Sequence, residues 1–150
     1  MQKDAIFVPA GVGETMNVLG GTHISKLIPE QSGGSCYAME IIVPPGCGPP
    51  MHSHEIDSEF FYVTEGEITF NTPNGEKVGG PGDFCFLPAG GYHGFRNNGT
   101  IDARALVVVT PGVAAHDFFS AVDAETKGAI DVPVVIDLAA KHAIRFPEVA

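Results

Sequence analysis

Short apolar runs of five to seven residues recur through the middle of the chain, each closed by glycine, proline or another turn-former. They are Tyr37–Val43 (YAMEIIV), Glu59–Thr64 (EFFYVT), Glu67–Asn71 (EITFN), Asp83–Leu87 (DFCFL) and Arg104–Thr110 (RALVVVT). Each is strand-length and rich in β-branched or aromatic residues, and no helical pattern falls between them. This punctuation leaves little room for anything but an antiparallel sandwich or barrel. Asn74-Gly75 marks a hairpin between Phe70 and Val78, and Gly20-Gly21 marks another within Val18–Ile24. Pro81-Gly82 and Pro111-Gly112 mark further turns. Only the last third departs from the pattern. Val113–Val122 and Val132–Ala143 carry apolar residues at helical spacing, which predicts two short C-terminal helices covering the β structure. Pro133 falls at the start of the second, where a helix tolerates it.

The chain has 150 residues, enough for one domain with a real core. With 44% apolar and 17% charged residues, it reads as a globular protein rather than a disordered one. A net charge of -10 with only eight Lys+Arg excludes the basic surface that nucleic acid or an anionic membrane demands. No run approaches the ~18 apolar residues of a membrane span, and the first residues lack a signal-peptide pattern. Cys36, Cys47 and Cys85 are odd in number and lack CxxC spacing, so they read as reduced thiols. These features predict a cytoplasmic protein.

One stretch stands out chemically: GCGPPMHSHEIDSEFFYVTEG, Gly46 to Gly66. In an extended strand alternate side chains share a face, so His52 and His54 project the same way with Cβ atoms roughly 6–7 Å apart. Two imidazoles at that spacing can reach one cation. Glu59 is the natural third donor, since it heads a run in which Glu59, Phe61 and Val63 share a face. A fourth donor must come from another strand, and His93 has the strongest strand–turn context. The competing reading is a hydrogen-bonded polar cluster, for which this many imidazoles and a carboxylate would need costly pairing. Glu55 and Asp57 read as an exposed turn, and His23, His116 and His142 as surface or capping residues. Phe60, Phe61, Phe84, Phe86 and Phe95 alternate faces and read mostly as core. Strand parity further predicts a largely apolar pocket of Met39, Ile41, Phe61, Val63 and Phe95 beside the site, closed by the C-terminal helices.

The residues Gly46, His52, His54, Glu59 and Gly66 fit G(x)5HxH(x)4E(x)6G without a gap. Gly82, Pro88, Gly90, His93 and Asn97 fit G(x)5PxG(x)2H(x)3N, also without a gap. The chain resembles the cupin superfamily at these two motifs, which together occupy residues 46–97. A looser likeness, including a helical tail over about 113–146, is to single-domain bacterial cupins related to quercetin dioxygenase. The resemblance implies a single cupin domain over residues 1–150, an all-β antiparallel double-stranded β-helix (jelly-roll) barrel with the two short C-terminal helices. It implies one divalent transition metal, Fe(II), Mn(II), Co(II), Ni(II), Cu(II) or Zn(II), held by His52, His54, Glu59 and His93. It also implies a homodimer paired through its sheets. For activity it implies a metal-dependent dioxygenase acting on a small enolic or phenolic substrate with dioxygen. Glu59 would be the catalytic base that takes the hydroxyl proton. A metal-dependent isomerase or lyase on a small oxygenated metabolite, and a small-molecule-binding module without turnover, are the alternatives. Fold alone does not choose among them.

Overall fold

The run Tyr37–Val43 alternates buried and half-buried residues along its whole length, the signature of a strand with one face on a core. It forms β3. The computed structural model describes residues 3–147. In chain order the remaining strands are β1 (Thr15–Val18), β2 (Gly21–Leu27), β4 (Ser53–His54), β5 (Ser58–Glu65), β6 (Ile68–Thr72), β7 (Gly75–Gly79), β8 (Phe84–Leu87), β9 (Gly94–Arg96), β10 (Ala103–Thr110) and β11 (Ile144–Arg145). Two helices, α1 (Val113–Thr126) and α2 (Val132–Lys141), follow β10.

Six strands form one antiparallel sheet in the order β1-β2-β3-β10-β5-β8. A second sheet has the order β7-β6-β9, and β11 pairs with β4. The inward residues of β3, β5 and β10 meet those of β6 and β9 in one core. Phe61 packs edge-on to Phe70 and to Phe95, with ring centroids 5.3 Å away in each case. Helix α1 packs against β1 and α2. No helix among the described residues is long and apolar enough to cross a membrane.

The expected barrel is open: the three sheets do not close into one hydrogen-bonded cylinder. Between the β4 and β9 segments pairing shrinks to a single bridge, His52 to His93. The approach to β4 carries Pro44, Pro45, Pro49 and Pro50, which supply no N–H to a ladder. Both expected hairpins are present, each shifted by one residue. The turns are Leu19-Gly20, both at positive φ, and Pro73-Asn74, so Gly75 opens a strand.

The largest departure concerns aromatics. Phe84 and Phe86 are 62% and 48% exposed, on the edge strand β8. They alternate with Cys85 and Leu87, and it is Leu87 that is buried. With Phe60, Tyr62 and Leu106 they form an apolar outer face rather than core.

Candidate metal centre

Strand β4 carries His54, His52 lies one step before it, and His93 lies one step before β9. The His52–His93 bridge brings these two segments together, with backbone N–H to carbonyl distances of 2.8 Å in both directions. Glu59 enters from β5, opposite Leu87 of β8. All four side chains are buried. The ring centroids of His52 and His54 are 5.1 Å apart, those of His52 and His93 4.6 Å. One nitrogen from each of the three imidazoles falls within 4.8 Å of the others. Three histidines are therefore positioned to bind one metal ion, as the strand parity predicts for His52 and His54.

The ring nitrogens are prepared for that task. His52 Nδ1 is 2.8 Å from the Pro50 carbonyl and His93 Nδ1 is 3.3 Å from the Gly91 carbonyl. A carbonyl only accepts, so Nδ1 carries a proton in both rings, which leaves Nε2 as the ring atom available to a metal. His93 Nε2 lies 3.0 Å from Glu59 Oε2, yet it is buried without a properly directed hydrogen bond. A buried ring nitrogen without a directed hydrogen bond, set beside a carboxylate, makes a polar pair that a cation between them would satisfy. His54 Nε2 is 3.6 Å from Glu59 Oε1, too long for a hydrogen bond.

Electrostatics agree. Burial pushes the Glu59 carboxyl upward, but His54, His93 and His52 outweigh it and hold the group at about 2, so it is ionised. Burial, followed by the charges of His54 and His93, lowers His52 to about 4 despite the Pro50 bond and Glu59. At neutral pH His52 therefore has the uncharged form a ligand needs.

The motif residues that are not polar donors shape the support. Gly46, Gly66, Gly82 and Gly90 all have positive φ, as turn positions require. Asn97 is fully buried. Its Nδ2 donates to the Val43 and Ile101 carbonyls at 2.8 and 2.7 Å, and its Oδ1 accepts from Gly99 N.

Asp57 corrects the sequence reading. It is 2% exposed, and its carboxylate accepts from Gly112 N at 2.8 Å and Ala115 N at 2.9 Å. It thus caps α1, whose local N-cap Gly112 has no side chain to do so. Gly112 is obligatory at φ 93°, since a Cβ there would meet Tyr37 Cβ at 2.6 Å and the Val109 carbonyl at 2.8 Å. Parity could have found Asp57: it is two residues before Glu59 and shares its face. Glu55 behaves as a near-surface turn residue and accepts from Ser53 Oγ at 2.6 Å.

A cavity of ≈ 70 Å³ opens beside the histidines. Met39, Ile41, Phe61 and Phe95 border it as expected, whereas Val63 is packed into the core away from it. Phe118 and Phe119 of α1 and Val135 of α2 close one side, joined by Ile144 and Phe146 of the tail. His23 also borders it, 8% exposed, which corrects its reading as a surface residue. The signal was the inward parity of His23 and Ser25 on β2. His142 does act as a capping residue, with Nδ1 2.8 Å from the Leu138 carbonyl. His116 is partly buried, its ring edge-on to Tyr37 at 5.0 Å between centroids. Among the described residues no Arg or Lys borders the cavity. Arg104 instead pairs with Glu40 at 2.8 Å and Glu65 at 3.2 Å on the outer face of the sheet, and Arg96 is exposed.

Residues 39–109 match the family model of the cupin domain. The protein contains a cupin domain. A 68-residue stretch, 45% of this chain, is 37% identical to an oxalate-binding protein of Thermotoga maritima, of which it spans 55%. A longer stretch, 67% of this chain, is 29% identical to quercetin 2,3-dioxygenase of Bacillus subtilis but spans only 30% of it. The cupin fold also superimposes on a crystal structure of a predicted oxalate decarboxylase from Thermotoga maritima. That match has a TM-score of 0.63 and 25% identity, and covers 70% of this chain and 98% of the other.

Proposed function

We propose that this cupin is a metal-dependent dioxygenase of the quercetinase-like type, acting on a small enolic or phenolic substrate. The observation that carries the proposal is the join between a buried histidine–carboxylate centre and an apolar cavity with no Arg or Lys among its described lining residues. An oxalate-like or phosphorylated sugar substrate needs convergent polar and positive groups, and Arg96 and Arg104 are turned elsewhere. That argues against the isomerase or lyase reading, while a neutral enol or phenol suits the walls. At ≈ 70 Å³ the cavity favours a compact diketone or single-ring phenol over a three-ring flavonol.

In this reading His52, His54 and His93 hold the ion through Nε2, and Glu59 completes the set. A divalent metal there supplies Lewis acidity toward the substrate oxygen, and the affinity order favours copper or zinc whichever ion works. Glu59 is ionised and is the only group of the centre able to take a proton on oxygen. It is the residue placed to take the hydroxyl proton of the substrate at Oε1 or Oε2; a carboxylate held at about 2 is a weak base on its own, so the hydroxyl would have to be acidified by the bound metal. Phe118, Phe119, Ile144 and Phe146 keep water from the resulting anion while it meets dioxygen.

Three free cysteines support a reducing, cytoplasmic setting, and the apolar outer face of β5 and β8 supports a homodimer. Metal analysis of protein purified without chelator or His-tag comes first. Oxygen-electrode assays with pentane-2,4-dione, catechol and a flavonol follow. The expected result is oxygen uptake with a compact substrate. Turnover without oxygen uptake would move the protein to the isomerase or lyase class, and no turnover on any substrate would leave a binding module.

A further inference from the structure

Strand β2 sends two polar side chains inward, and the fold treats them differently. Ser25 Oγ lies 2.8 Å from the Tyr37 hydroxyl, a closed buried pair. His23, two residues earlier, is 8% exposed, and its Nδ1 is buried with no hydrogen-bond partner among the described residues. Its ring packs edge-on against Phe119, centroids 4.6 Å apart at 87°. A phenylalanine or leucine would fill that space without an unpaired polar atom, so packing alone does not account for an imidazole there.

Its surroundings supply the reason. His23 borders the same cavity as His52, His54 and Glu59, and Phe119 neighbours both His23 and His54. Away from the centre, the other described side chains around this cavity are apolar apart from the Cys47 thiol. Among the described residues, His23 is thus the one strong hydrogen-bonding side chain a molecule in the cavity would meet besides the centre itself. Burial, opposed by the Glu59 charge, lowers its pKa to about 4, so the ring is neutral at physiological pH. The sealed Nδ1 has nothing to donate to. An unpaired lone pair is tolerated better than an unpaired N–H, so the proton belongs on Nε2.

We infer that His23 is a substrate-binding residue that donates its Nε2–H to a second oxygen of the substrate, distinct from the oxygen held at the histidine centre. The inference rests on the cavity being the substrate site and adds that the substrate carries two separated oxygen functions. It also gives an otherwise apolar pocket a means of choosing among compact enols and phenols.

The test uses hydroxamates as metal-anchored probes on Zn(II)-loaded protein. Benzohydroxamate is compared with its 3-hydroxy and 4-hydroxy derivatives by titration calorimetry. Wild type is expected to prefer one hydroxylated probe by about five- to tenfold, the worth of one neutral hydrogen bond. His23→Phe should abolish that preference while binding the parent probe as before, and His23→Gln should restore part of it. The melting temperature of His23→Phe should equal or exceed that of wild type. A preference that survives in His23→Phe, or no preference in wild type for either derivative, overturns the role of His23 and leaves the centre untouched. A His23→Phe protein melting well below wild type shows a structural residue and also overturns it. If the parent probe binds neither wild type nor any variant, the cavity reading falls and this inference falls with it. Oxygen uptake tests the dioxygenase reading separately.

Discussion

The protein carries two clusters of charged and titratable side chains on opposite faces of one sheet. Inside, Glu59 lies against His54 and His93 with every member almost wholly buried. Outside, Arg104 bridges Glu40 and Glu65 with side chains 34–59% exposed. The contact distances are similar, 3.0–3.6 Å inside and 2.8–3.2 Å outside. Solvent makes the difference. Water screens the outer cluster, and such pairs are worth about 0–1 kcal/mol. The inner cluster has given up its hydration, and attraction between partners seldom repays that cost. A fold keeps such a group for what it does. On the proposed function, the working groups are polar groups the sheet has buried, and the surface ion pairs are bystanders.

The sharpest way to break this comparison is to remove an inner member. His54→Ala should reduce bound metal from about one equivalent to a trace, measured by elemental analysis after dialysis, because two imidazoles and a carboxylate form a far weaker set. A variant that keeps its metal would show that His54 is not a ligand. Glu59→Gln comes next. Gln retains a neutral oxygen donor but does not accept a proton near neutral pH, so metal should remain and turnover should fall by about 10²–10⁴-fold. Equal activity in that variant would remove the base role while leaving the histidines in place.

How much of this was legible beforehand follows from the same contrast. Parity along a strand is a local rule: it put His52, His54 and Glu59 at the cavity with Met39, Ile41, Phe61 and Phe95, and it wrongly added Val63, which packs into the core. It does not say what an inward residue will meet, or which strand will form an edge. Phe84 and Phe86 look like core residues, but β8 is an edge strand, and which strand forms an edge depends on sheet order. Asp57 looks like a turn residue, but α1 arrives 55 residues later and takes its carboxylate as a cap. His23 looks like a lone surface histidine until Phe119 of the same helix packs against it. Barrel closure was beyond reach for the same reason, since it depends on pairing between β4 and β9, segments distant in sequence.

Asp57 gives a prediction of intermediate size. Its carboxylate satisfies two of the amide groups at the start of α1, and both bonds are charge-assisted. Asp57→Ala should cost about 2 kcal/mol in denaturant unfolding, and Asp57→Asn about half of that, because one amide oxygen still accepts. Helix α1 holds Phe118 and Phe119 against the cavity, so Asp57→Ala should also weaken binding of benzohydroxamate to the Zn(II)-loaded protein. A fully stable variant would place Asp57 with the outer cluster despite its burial.

The smallest effect should come from Arg104, and it tests the comparison from the other side. Arg104→Gln removes the Nη1 contact to Glu40 and the Nε contact to Glu65. Each is partly solvated, so the loss should be about 0.5 kcal/mol. For a chain of this length that is a fall of about 1–2 °C in melting temperature. The sign of the salt dependence is fixed as well. The substitution leaves Glu40 and Glu65 facing each other in a protein of net charge -10, so the loss should be greatest at low ionic strength and fade as salt screens the two carboxylates. Metal content and oxygen uptake should not change, because the sheet separates Arg104 from the cavity. If Arg104→Gln instead abolished turnover while the protein stayed folded, the outer cluster would be part of the machinery. An anionic substrate would then be the better reading, and the dioxygenase proposal would give way to the isomerase or lyase class.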